Sequence, residues 1–142
     1  MESNARKNSE QNIEDGIPPS YWTKSLRLNE QYVITLHVQE FHNWILAFAY
    51  HEKPLVGSLA IVAPGQIGSV PLSSPIGQGI QFPLAHALAE VISGRTGKVT
   101  LSSINLTEDS SMFTQILHDL INAFLKDRMK SQEQAANNSS NQ

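Results

Sequence analysis

A chain of 142 residues with 10 Lys and Arg, 13 Asp and Glu and no Cys can bury one hydrophobic core, and it has no disulfide, thiolate nucleophile or Cys-ligated zinc. The slight acidity and the lack of any basic cluster exclude the electrostatic footprint of a nucleic-acid binder. No apolar run approaches a membrane span, and Met1 to Gly16 has charges of both signs without an apolar centre, so no secretory leader is expected. The expected compartment is the cytoplasm, with the nucleus open as a second.

Composition divides the chain into a body and two tails. Residues 1–20 and 131–142 are rich in Asn, Ser, Gln and Glu, bury too little to offset ordering entropy, and are expected to be disordered. Residues 21–130 are expected to form one α+β domain. In it, Tyr32, Ile34, Leu36 and Val38 alternate with Val33, Thr35 and His37, which predicts a strand with one strongly apolar face. A short connection through Glu40 and Phe41 then leads to a second strand, Asn43 to Tyr50, so a hairpin is expected. Here both parities are apolar: Trp44, Leu46, Phe48 and Tyr50 point one way and Ile45, Ala47 and Ala49 the other.

Ser58 to Ala63 is a third strand, also without polar alternation, and Pro64-Gly65 ends it. Around Ser69 to Ser73 a short extended piece holds Pro71, which removes a ladder donor and marks an edge. Pro75 to Gly79 reads as a loop. Pro83 suits the first turn of a helix carrying Leu84, Leu88, Val91 and Ile92, with Gly94 placed as its cap. Val99 to Leu106 returns as a strand. Asp109 or Ser110 can cap a last helix, in which Phe113, Ile116, Leu117, Leu120, Ile121, Phe124 and Leu125 form one stripe. The fold class is α+β: an antiparallel sheet with two helices packed on one face and the other face available for a partner sheet.

Several catalytic patterns fail on inspection. Gly94-Arg95-Thr96-Gly97-Lys98 lacks the length of a phosphate loop and runs from helix to strand, the wrong order for one, so a glycine turn is the reading. His37, His42 and His51 lack paired ligand spacing, and no metal is expected. Ser73 and Ser74 have no nucleophile elbow around them. His118 and Asp119 fall on the polar side of the last helix. The Asn-X-Ser/Thr matches at Asn105, Asn137 and Asn138 carry no weight without secretion. No enzyme and no cofactor are expected.

From Val33 to Met129 the chain resembles the proteasome assembly chaperone 4 family. The resemblance is carried by His42-Asn43-Trp44-Ile45-Leu46, by Gly68-Ser69-Val70-Pro71-Leu72-Ser73-Ser74, and by Leu84-Ala85-His86-Ala87-Leu88-Ala89. It continues through Thr96-Gly97-Lys98-Val99-Thr100-Leu101-Ser102-Ser103-Ile104-Asn105-Leu106 and the final helix. Gly97 stands where the family carries Asn, and Pro75 to Gly79 replaces a Ser/Thr-rich stretch. The resemblance implies a non-enzymatic chaperone that forms a heterodimer with a chaperone of the proteasome assembly chaperone 3 type and holds α-type subunits during 20S proteasome α-ring assembly. The competing expectation is a longin-like or roadblock-like adaptor that scaffolds a trafficking or GTPase-regulating complex.

With a hairpin connection of odd length, Tyr32, Ile34, Leu36 and Val38 share a helix-covered face with Trp44, Leu46, Phe48 and Tyr50. The thinner face, Val33, Thr35, His37, Ile45, Ala47 and Ala49, then meets the partner. The alternative cover for that face is the chain's own segment Tyr21 to Leu28.

Overall fold

The computed structural model describes residues 20–65, 70–72, 82–106 and 111–141. In chain order the elements are β1 (Ser20–Arg27), β2 (Val33–Glu40), β3 (Trp44–His51), β4 (Ser58–Val62), β5 (Val70–Leu72), α1 (Phe82–Thr96), β6 (Val99–Asn105) and α2 (Ser111–Ser140). The six strands form one sheet in the order β1-β2-β3-β6-β4-β5. The class is α+β, with one departure from a purely antiparallel sheet: β6 runs parallel to β3. Parallel neighbours need a long crossover, and the chain from β4 through α1 supplies it, inserting β6 between β3 and β4.

The β2–β3 hairpin forms as expected and is closed by Phe41 N–H donating to the Trp44 carbonyl at 2.8 Å. Its register differs from the odd-length expectation. Leu36 lies opposite Ala49 and Val38 opposite Ala47, so even-numbered residues of β2 share a face with odd-numbered residues of β3. A slip of one residue moves a whole strand's side chains to the other face. Ile45, Ala47 and Ala49 are therefore in the core with Ile34, Leu36 and Val38, and Trp44, Leu46, Phe48 and Tyr50 are not.

Both helices lie on that one face, α1 over β3, β6 and β4, and α2 over β1 and β2. The two halves are packed differently. Under α1 the sheet presents Ala47, Ser58, Ala60 and Ser102, and the helix answers with Ala85, Ala89 and Ser93. Small side chains on both surfaces let backbone lie near backbone without voids. Ser102 Oγ donates to the Ala85 carbonyl and ties helix to strand. Under α2 the fill is bulky, with Phe113, Ile116, Leu117, Leu120, Ile121 and Phe124 buried as the stripe predicted. In α1 the buried line is Ala85, Leu88, Ala89 and Ile92, while Val91, expected in the stripe, is exposed.

Three further expectations change. Tyr21 to Arg27 extends the sheet as β1, paired with β2 over its whole length, and does not lie across the face. Trp22 reaches back to α2, edge-on to Phe124 with ring centres 5.4 Å apart, and its Nε1 donates to Asp127 at 3.0 Å. Helix α1 runs past Gly94 to Thr96 and is capped by Gly97, whose φ of 70° suits glycine and whose N–H donates to the Ser93 carbonyl at 2.9 Å. Helix α2 continues through the expected tail to Ser140, because 131–140 holds no Pro or Gly and several good helix formers. These last turns are exposed on all sides. The strand expected around Pro71 is the edge strand β5. Residues 1–19, the Pro75 to Gly79 loop and the caps at Asp109 and Ser110 lie outside the described residues. Among the described residues no helix is long and apolar enough to cross a membrane.

Candidate functional site

The face of the sheet opposite the helices is built by residues alternating with the core set. Reading across paired strands, one row is Tyr21, Gln39, Leu46, Leu101 and Ile61, and the next is Thr23, His37, Phe48, Ser103 and Leu59. Trp44 beside Val99, and Tyr50 between Thr35 and Asn105, extend the face along the strands. Its two halves differ chemically. Over β1 and β2 it is polar and internally paired: Thr23 Oγ1 lies 2.6 Å from His37 Nδ1, Ser25 Oγ lies 2.7 Å from Thr35 Oγ1, and Gln39 Nε2 donates to the Tyr21 hydroxyl at 3.3 Å. Over β3, β6 and β4 it is apolar, with Trp44, Leu46, Phe48, Leu59, Ile61 and Leu101, none of them fully buried.

The segment between β3 and β4 raises one wall on this face. Pro54, Leu55 and Val56 with His37, Phe48 and Tyr50 enclose a hollow of about 340 Å³. Leu55 at its rim is 51% exposed. Gly57 brings the segment down onto β6: a Cβ there would overlap the Ile104 carbonyl, and the Gly57 N–H donates to Ser103 Oγ at 3.0 Å. That contact also accounts for Ser103 being buried on an otherwise open face.

Of the residues expected to meet a partner, Val33, Thr35 and His37 are on this open face. Ile45, Ala47 and Ala49 are not; they are enclosed beneath the helices, so they offer no surface. The residues that take their place are Leu46, Phe48 and, at 36% exposure, Trp44. Side-chain volume offered only a weak signal: over β3, β4 and β6 the open face carries Leu46, Phe48, Leu59, Ile61 and Leu101, while the covered face mixes the small Ala47, Ala49, Ser58, Ala60 and Ser102 with Ile45, Val62 and Ile104.

At the rim of the covered face is a charge cluster that spacing along the chain could not show. Glu40, at the end of β2, accepts from Lys98 Nζ at 2.8 Å and from Arg128 Nη2 at 2.9 Å and Nε at 3.0 Å. Lys98 Nζ also donates to the Phe41 carbonyl at 2.7 Å. Burial on its own would raise the Glu40 pKa; the hydrogen bonds and charges of Arg128 and Lys98 outweigh it and hold the carboxyl below its ordinary range. The cluster joins the hairpin, the α1–β6 turn and α2. The candidate histidines stay apart: His51 is beside the Val33 carbonyl, His42 is exposed in the hairpin turn, and His118 sits near Asn122 on the outer side of α2. Among the described residues no group of three metal-ligating side chains converges.

No model of a known family and no curated protein matches the sequence. Among solved structures, the chain is similar to one chain of a chaperone complex for yeast 20S proteasome assembly. The TM-score is 0.53 and the identity 15%, over 78% of this chain and 96% of that one. At that identity the likeness is one of fold.

Proposed function

We propose that the chain is a non-enzymatic assembly chaperone that pairs through its open sheet face with a related chain of the proteasome assembly chaperone 3 type and promotes 20S proteasome α-ring assembly in the cytoplasm. The observation that carries this reading is the apolar half of the open face, Leu46, Phe48, Leu59, Ile61 and Leu101, on a fold shared with a chain of a proteasome assembly chaperone complex. A contiguous apolar patch of this kind is a protein-binding surface by default. A second sheet laid on it at about 10 Å would cover it as in a β-sandwich, and burial near ~1,600 Å² in total suffices for a stable pair. The paired polar half over β1 and β2 then forms the hydrated rim. Val33, Thr35 and His37 belong to that rim.

Affinity purification of the tagged chain from lysate at low salt tests the reading. Recovery of proteasome α-type subunits together with a second small α+β chain supports it. Recovery of trafficking or GTPase-regulating complexes without proteasome subunits would overturn it in favour of an adaptor.

A further inference from the structure

On the helical side of the molecule α1 and α2 leave a groove of about 580 Å³ between them. Leu84 and Val91 of α1 and Leu117, Ile121 and Leu125 of α2 form its apolar lining. Val91 is 43% exposed there. Met129, one turn beyond Leu125 and 60% exposed, prolongs the apolar line. The groove then becomes cationic. Arg95, in the last turn of α1, and Lys126 and Lys130 of α2 line a second hollow of about 340 Å³ with Leu125, Met129 and Glu133. None of these three cations has an ion-pair partner among the described residues, whereas Lys98 and Arg128 nearby are both spent on Glu40. Three unpaired cations against one carboxylate, on a chain of net charge -3, make a local positive end to an apolar channel.

We propose that this groove docks an amphipathic segment of a partner protein, apolar along one side and ending in acidic residues that lie over Arg95, Lys126 and Lys130. Apolar anchors seated between two helices supply affinity, and the charged end sets direction. The cations form a point at one end of the groove and no stripe along it, with Glu90 in the wall, which suits a cluster of carboxylates better than a run of nucleic-acid phosphates. The groove and the open sheet face are on opposite sides of the sheet, so this inference stands apart from the pairing reading.

The test uses the full chain and a fluorescein-labelled synthetic peptide of about 14 residues, close to the length of α1, with Leu at helical spacing and a terminal run of Glu. A twin peptide ends in Lys, and phosphatidylserine vesicles serve as a third probe. Fluorescence polarisation at low salt is expected to give at least about tenfold tighter binding of the Glu-ended peptide. Lys126→Glu combined with Lys130→Glu should reverse that order, and Val91→Glu should weaken both peptides. In amide NMR spectra the shifts should fall on Val91, Arg95 and Leu125. Equal affinity for the two peptides, or indifference to the lysine reversals, overturns the proposal. So do shifts confined to Leu46 and Phe48, vesicle binding without peptide preference, or a change in molar mass with Val91→Glu that marks self-association. If Val91→Glu fails to fold, the exposed lysine pair carries the test alone.

Discussion

Leu120 and Phe124 are both buried in the α2 stripe against β2 and β1, so loss of volume at either leaves a cavity in the core. Leu120→Ala and Phe124→Ala should each cost about 2 to 5 kcal/mol in urea unfolding, while His118→Ala, on the outer side of the same helix, should be near neutral. Glu40 gives a pH-dependent counterpart. Its folded-state pKa is lowered from 4.5, so it binds a proton less readily folded than unfolded. The stability it contributes is fully present above the unfolded pKa and is lost as pH falls through the folded one. Urea midpoints of the unaltered chain and Glu40→Gln should therefore differ most near neutral pH and converge in acid; a gap that widens in acid contradicts the assigned partners.

For whole elements, lines of like residues were legible and relations between lines were not. The hairpin, the edge strand with Pro71, β6 and the α2 stripe follow from alternation, from a missing donor and from helical spacing, all properties of contiguous residues. The faces of β3 do not, because they depend on how many residues the hairpin turn consumes, and one residue exchanges Ile45 with Leu46. β1 carried a weak pattern, Trp22 and Leu26 among polar residues, since it is an edge strand with only one side paired. The Glu40 cluster joins residues 58 and 88 positions apart. Two element-scale changes follow. Removing residues 131–142 should lower helical circular dichroism yet leave the thermal midpoint almost unmoved, because those turns touch nothing in the core. Gly57→Ala should destabilise by roughly 1 to 3 kcal/mol, the cost of overpacking, as the wall beside Phe48 is forced off β6.

Among the described residues, the molecule is a sheet with one face closed by its own helices and one face half apolar and open. Alone at micromolar concentration it should self-associate, since an exposed apolar sheet face is an aggregation liability, and light scattering should show masses above that of a monomer. The proposed pairing depends on which residues of β3 face the core and which lie on the open face. Ile45 is fully buried under the helices, and Phe48, three residues on, points to the opposite side. The most direct measurement is a paired one, with circular dichroism and partner co-purification on Ile45→Asp and Phe48→Asp. A charge forced into the core should unfold the domain, whereas one on the open face should leave the circular dichroism intact and abolish partner recovery. A folded Ile45→Asp that has lost its partner, beside an unfolded Phe48→Asp, would contradict the account.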